Sequence, residues 1–225
     1  MGTAIQKLKD GLLSLFLKSN CPLCDRPTEI EFCQYCQRKL LHCELENCSN
    51  LWYGNLPVFV WGNYGGTLKQ AIATLKYNNQ PQLSRPLGHL LGEAWLKSPG
   101  ATRWKKLTVV PIPLNAKKQQ ERGFNQAELI GQSFCEYTGY KQQPQALERI
   151  RNTEPQHNKN LQERQQNLKD AFVIGKSFQK NPPTSPVLLV DDIYTSGATV
   201  QAATETLRKQ GIQVYGVVAI ATTRK

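Results

Sequence analysis

The sequence predicts an α/β fold, a parallel sheet flanked by helices, with a small Cys-rich module in front of it. Two observations carry this expectation. Short apolar runs alternate with helical patterns from Val58 to Ile220, and the run Val187-Leu188-Leu189-Val190 leads through two carboxylates and a hydroxyl-rich loop into a helix. Ahead of all these runs lie two Cys-x-x-Cys pairs, Cys21/Cys24 and Cys33/Cys36, eight residues apart. A chain of 225 residues has room for one α/β domain and a small appendage. No apolar run approaches the roughly 18 residues of a membrane span.

Val187 to Val200 organises the rest. The run is short, β-branched at both ends and preceded by Pro182, Pro183 and Pro186, so it reads as a buried parallel strand. Asp191 and Asp192 stand at its C-terminal end. The loop Thr195-Ser196-Gly197-Ala198-Thr199 follows, and a helix is expected from about Thr199, with Ala202, Ala203 and Leu207 in phase and Gly211 as its stop. Helix-initial amides lack internal partners and carry partial positive charge, so they suit a phosphate. Gly197 lets backbone approach a ligand, and Thr195, Ser196 and Thr199 add hydroxyls. The carboxylates can accept hydrogen bonds from sugar hydroxyls at the sheet edge where α/β proteins bind ligands. One ligand fits both ends: a ribose bearing a 5′-phosphate. The Val187 to Val200 stretch does not match a Walker loop, since it holds no Gly-Lys-Ser/Thr.

The N-terminal fifth reads differently. Ile5, Leu8, Leu12, Leu15 and Phe16 form one side of an expected amphipathic helix over residues 5–17. Asp10 and the lack of a small-residue cleavage site make this a poor signal peptide. Four thiolates at Cys21, Cys24, Cys33 and Cys36 suit tetrahedral zinc, in a tighter spacing than a usual ribbon. Disulfides are the alternative, disfavoured in a reducing cytoplasm. His42, Cys43 and Cys48 follow closely and either replace a ligand or stand as spare thiols; Cys135 reads as core. Residues 47–57 read as a linker. Residues 1–50 are thus expected to form the helix and a four-cysteine, zinc-finger-like module, and residues 51–225 the main domain.

In that domain, strands are expected over residues 58–64, 107–112, 171–174 and 212–220. Helices are expected over 67–77 (Leu68, Ile72, Leu75), 82–96 (Leu83, Leu87, Leu90, Leu91, Trp95), 125–137 and 161–168. Residues 117–126 read as a polar, basic, mobile segment that can close over a phosphate-rich ligand. Residues 1–60 carry six basic and six acidic side chains, so the net charge of +11 lies entirely in the main domain. Such a body is suited to phosphates, whether of a small ligand or of a nucleic acid.

Val187 to Val200 resembles the motif by which type I phosphoribosyltransferases bind 5-phosphoribosyl 1-pyrophosphate (PRPP). The whole chain from Leu12 to Thr222 resembles the ComF family, on Cys21 to Cys24 and Cys33 to Cys36, Leu75-Lys76-Tyr77, Val110-Pro111-Ile112-Pro113-Leu114, Arg122-Gly123-Phe124-Asn125-Gln126, the Arg149 to Gln156 stretch, Leu161, Arg164, Asn167, Ala171-Phe172 and the Asp191-Asp192 loop. Ser196 stands where a second Thr is usual, which keeps the hydroxyl. The resemblance implies a phosphoribosyltransferase-like domain in which Asp191 and Asp192 hold the ribose and Thr195, Ser196, Gly197, Ala198 and Thr199 hold the phosphate. Lys76 and Arg122 are then the candidates for the pyrophosphate, with Pro113-Leu114 as its backbone cradle and Mg²⁺ bridging ligand oxygens. It further implies a cytoplasmic role in handling incoming single-stranded DNA, with competence helicase-type partners, and PRPP binding without a defined transferase reaction. The alternative is a true phosphoribosyltransferase acting on a purine, pyrimidine or related acceptor.

Overall fold

The apolar runs at residues 58–63, 108–111, 187–194 and 214–222 pair edge to edge in parallel, and their alternate residues face two separate layers. The computed structural model describes residues 19–150 and 171–224. The expected helices over residues 5–17 and 161–168, and the stretch from Arg151 to Gln156, lie outside them.

In chain order, β1 (Ser19–Asn20) and β2 (Pro27–Thr28) form a small antiparallel ladder, followed by α1 (Gln34–Leu41). Then come β3 (Val58–Asn63), α2 (Gly66–Tyr77), α3 (Ser84–Leu96), α4 (Pro99–Thr102) and β4 (Thr108–Pro111). After these lie α5 (Ala116–Arg122), α6 (Gln126–Thr138), β5 (Lys141–Gln142), β6 (Leu147–Arg149), β7 (Phe172–Ile174) and α7 (Lys176–Lys180). β8 (Val187–Tyr194), α8 (Ala198–Lys209) and β9 (Val214–Thr222) complete the chain. The central sheet has the order β3-β9-β8-β4-β5, and β6 with β7 makes a separate antiparallel pair.

Period-two alternation fills both layers. Phe59, Trp61, Val109, Leu188, Val190, Val218 and Ile220 pack with α2, α3 and α6 through Leu68, Ile72, Leu75, Leu91, Trp95, Ile130 and Phe134. Val58, Val60, Val110, Leu189, Val217 and Ala219 pack on the other side with α8 through Val200, Ala203 and Leu207, and with Phe172 and Phe178.

Three local expectations change. The expected linker is partly stapled to β3. Val60 N–H donates to Cys48 O at 3.0 Å, Val58 N–H to Leu51 O at 2.9 Å, and Leu45 N–H to Trp61 O at 2.9 Å, so residues 43–51 cover an otherwise open sheet edge. The basic segment begins with a helix, α5, capped by the Asn115 side chain accepting from Lys118 N–H at 2.8 Å and ended by Gly123 at φ 80°. The last strand pair is longer than its apolar runs, because Asp191 and Ile193 keep register with Ala219 and Ala221 of β9. The core of the Cys-rich module is continuous with that of the sheet: Cys21, Leu23, Phe32 and Leu40 share one cluster with Leu68, Ala71, Ile72 and Leu75 of α2. Gln70 Nε2 also donates to Leu23 O at 2.8 Å. Among the described residues no helix is long and apolar enough to cross a membrane.

Candidate ligand site and cysteine cluster

The strand order fixes where a ligand fits. From β4 the chain moves outward to β5, whereas from β8 it moves the other way to β9, so the sheet's switch point lies between β4 and β8. Crevices at such points, at the carboxyl ends of the strands, are the ligand sites of open α/β sheets. β4 ends at Pro111 opposite Val190, while β8 runs on. Asp191 and Asp192 therefore stand at a notch whose other wall begins with Pro113 and Leu114.

Alternation sends the two acids to different faces. Asp192 shares the parity of Leu188 and Val190 and is almost fully buried toward α2 and α6; Asp191, with the parity of Leu189, is half-buried. The Asp192 N–H donates to Asp191 Oδ1 at 2.9 Å. Lys76, in the last turn of α2, ion-pairs with Asp192 Oδ2. Gln126, the first residue of α6, donates from Nε2 to Asp192 Oδ1 at 3.2 Å and accepts from Arg122 of α5. The Arg122 guanidinium lies 5.5 Å from the ring centroid of Tyr77, beside Lys76. The structure thus joins the sequence candidate Lys76 to Asp192 directly and Arg122 to it through Gln126.

The charges divide the acids further. Burial pushes Asp192 up, but the Lys76 ammonium and the hydrogen bonds from Lys76 and Gln126 outweigh it and hold the carboxyl below its ordinary value. For Asp191, burial and the neighbouring Asp192 charge prevail and raise it well above. Burial pulls Lys76 down, and the charge of Asp192 lifts it above the usual lysine value. Lys118 is lowered, first by burial and then by the positive charges of Arg149, Arg122 and Lys76. Arg149 also feels the field of Asp191. Two carboxylates among several cations can hold a ligand that is both polyanionic and hydroxylated.

The loop after β8 completes the notch. Gly197, at φ 83°, turns the chain into the twelve-residue α8, one residue earlier than expected. Arg224 donates from Nε to Thr195 O at 2.9 Å and from a terminal nitrogen to Ser196 O at 2.8 Å. In a trans peptide the C=O and the next N–H point in opposite directions. With both carbonyls turned to Arg224, the N–H groups of Ser196 and Gly197 point away from it. They adjoin the first turn of α8, where Ala198 N–H donates to Ser196 Oγ at 3.4 Å and the next amides lack helical partners, a backbone suited to an anion.

The four sequence-predicted cysteines do converge. Their sulfurs all lie within 4.8 Å of one another, with Cys24 and Cys33 3.5 Å apart. Metal–sulfur bonds of about 2.3 Å in a tetrahedron put sulfurs about 3.8 Å apart, so the cluster can hold a metal ion. Two turns build it. Cys24 N–H and Asp25 N–H both donate to Cys21 O, at 3.2 and 2.9 Å, while Cys33 caps α1 and Cys36 sits in its first turn. The Cys36 backbone N–H lowers Cys33 to about 6, and burial raises Cys36. Cys43 and Cys48 point elsewhere, their sulfurs near Gly65 O at 3.8 Å and Trp61 O at 3.3 Å. Cys135 is half-buried against the core and burial raises it to about 12.

Sequence reasoning did not assign Gln126, Lys118, Arg149 or Arg224 to the site. Lys118 sat in the basic segment and Arg149 in a stretch of family resemblance; Arg224, next to the last residue, carries no pattern signal.

No family model matches the chain. It is 31% identical over 218 residues to Competence protein F of Haemophilus influenzae, covering 92% of this chain and 93% of that protein. It is 26% identical over 204 residues to the DNA utilization protein YhgH of Escherichia coli K12, covering 87% and 88%. It is also 27% identical over 193 residues to Competence protein ComFC of Bacillus subtilis, covering 85% and 72%. With identity and coverage of this order along nearly its whole length, the chain belongs to the ComF family.

Proposed function

We propose that the chain binds PRPP with Mg²⁺ at the notch between β4 and β8, and that it handles incoming single-stranded DNA in the cytoplasm during DNA uptake. Asp191 and Asp192 take the ribose hydroxyls. The amides and hydroxyls from Thr195 to Thr199 take the 5′-phosphate. Lys76, Arg122 and the backbone of Pro113-Leu114 face the pyrophosphate, with Lys118 and Arg149 adding positive charge to the same space. Mg²⁺ would be held among ligand oxygens and the acids, where it neutralises the pyrophosphate. The cysteine cluster holds a structural zinc ion. A competence helicase-type protein is the expected partner.

The observation that carries this reading is the convergence, at one switch point, of two acids, the loop that opens α8, and Lys76 and Arg122 tied to Asp192 directly or through Gln126. The relatives named for competence and for DNA utilization support the uptake role. Calorimetry of the full chain with PRPP and Mg²⁺ tests the binding. Uptake of PRPP that is lost in Asp191→Ala is the expected result, and absence of binding by the wild type sinks the reading. Pyrophosphate release in the presence of bases and single strands separates transfer from binding.

A further inference from the structure

We infer that Arg224 is a positioning residue for the 5′-phosphate: it holds the peptide between Ser196 and Gly197 with its N–H toward the ligand, and so makes the loop after β8 receptive to a phosphate monoester. The inference rests on the sugar-phosphate reading above.

Gly197, at φ 83° and ψ −4°, has the geometry of the third residue of a type II turn. A type I turn differs mainly by a flip of the peptide in front of that residue, and glycine accepts either form. The flip exchanges the two ends of that peptide. Ser196 O would then face the ligand, and the Gly197 N–H would face away from it. A carbonyl oxygen repels a phosphate where an N–H binds it. The loop therefore needs a partner outside itself to choose between the two forms.

Arg224 makes that choice. It follows β9 and reaches back to the loop, where Nε donates to Thr195 O at 2.9 Å and a terminal nitrogen to Ser196 O at 2.8 Å. These are the carbonyls of successive peptides, and the rigid fork of a guanidinium can bind both at once. Flipping the peptide between Ser196 and Gly197 breaks the second bond. The guanidinium is itself held in place. It lies over the Tyr194 ring, 4.8 Å from the centroid. The Arg224 N–H donates to the Thr222 hydroxyl at 3.0 Å, and that hydroxyl donates to Tyr194 O at 2.9 Å. The Tyr194 hydroxyl in turn lies so close to Gly197 that an added Cβ would meet it at 2.7 Å. Ring, guanidinium and turn form one packed unit on the side of the loop opposite the two N–H groups. Arg224 is exposed, so the core does not depend on it.

Ribose 5-phosphate is the probe, by calorimetry on the full chain. Arg224→Ala is expected to weaken its binding about tenfold, the scale of one hydrogen bond to a charged group. Arg224→Lys keeps the charge but loses the fork, and is expected to weaken binding nearly as much. Because the side chain is exposed, both variants keep the wild-type melting temperature. In proton–nitrogen correlation spectra, the Ser196 and Gly197 amides of the wild type shift downfield on addition of ribose 5-phosphate, and those of Arg224→Ala do not. Unchanged affinity in Arg224→Ala overturns the inference. So does full recovery in Arg224→Lys, which makes charge rather than peptide orientation the cause. Affinity lost together with melting temperature, or lost while both amides still respond as in the wild type, marks a structural role and overturns it too. A wild type that binds neither ribose 5-phosphate nor PRPP overturns the sugar-phosphate reading itself, a result distinct from the others.

Discussion

Lys76, in the last turn of one helix, ion-pairs with Asp192, and this pair is the joint at which α2, α6 and β8 meet. Both partners are largely withdrawn from solvent, with side-chain exposures of 15% and 6%. Removing one charge strands the other, which costs about 3 kcal/mol or more when a buried pair is broken. Lys76→Met and Asp192→Asn are each expected to lower stability by roughly that amount in urea unfolding. The double variant Lys76→Met/Asp192→Leu recovers much of the loss, since no charge remains unpaired. Single variants with wild-type midpoints would show the pair to be solvent-screened.

Neighbouring Asp191 predicts the opposite sign. Its folded value lies well above the ordinary 3.8, so ionising it opposes folding. That cost is absent at low pH, where the group is protonated in both states. It grows as pH rises from about 3.8 and is complete above the folded value. Asp191→Asn is therefore expected to raise the melting temperature at neutral pH, with the gain fading on acidification, while PRPP binding is lost. Asp192 behaves in reverse: its folded value lies below 3.8, so its ionisation favours folding above the unfolded value and the benefit is lost as pH falls through the folded one. Melting curves of both Asn variants across the acid range separate the two acids.

Gly197 supplies a sharper local test. Its φ of 83° disfavours any side chain, and an added Cβ would come within 2.7 Å of the Tyr194 hydroxyl. Left-handed backbone costs a non-glycine residue about 1–2 kcal/mol before that collision is counted. Gly197→Ala is expected to lower stability by at least this amount and to weaken sugar-phosphate binding, because the turn that aims the amides is displaced. A variant with unchanged stability and PRPP affinity would show that the loop adjusts freely.

Most of the frame was legible because it follows hydrophobic period. β3, α2, α6 and β9 lie within a few residues of where their apolar residues put them, and the acid–loop–helix order carried the notch's location. What escaped lacked such a period. α5 has no buried residue and depends on the Asn115 cap and Gly123. Asp191 to Tyr194 reads poorly as strand by composition, yet the ladder with β9 extends through it. Gln126, Arg149 and Arg224 come from segments distant in sequence from the acids, and only the strand order brings them there. The stretch before β3 has the asparagines and glycine of a linker, but its backbone groups are used by the sheet edge.

The cysteine module is expected to act on the site through α2. Its apolar residues Leu23, Phe32 and Leu40 share a core with Leu68, Ile72 and Leu75, and α2 ends in Lys76 and Tyr77. Structural zinc in such small units contributes about 10–16 kcal/mol of apparent binding energy, so its loss unfolds what it holds. Metal analysis of reduced protein should give one zinc per chain. A strong chelator should lower both the melting temperature and PRPP affinity, with recovery when zinc is restored. Protein isolated without metal, or with the four cysteines in disulfides, would refute the assignment.

Lys118 feels the charges of Arg149, Arg122 and Lys76, so the cations proposed for PRPP are also ones that a DNA backbone could meet. Each phosphate contact to a single strand contributes about 0.7 to the slope of log affinity against log salt. Lys118→Ala/Arg122→Ala should thus flatten that slope by about 1.4 and weaken single-strand binding at low salt more than at high salt. If the two ligands share these cations, PRPP with Mg²⁺ should displace a labelled single strand from the wild type, and Asp191→Ala, which keeps the cations but loses the sugar contact, should bind DNA while resisting displacement. A salt slope unaltered by the double substitution places DNA on another face, and displacement by PRPP from Asp191→Ala as readily as from the wild type removes Asp191 from the sugar site.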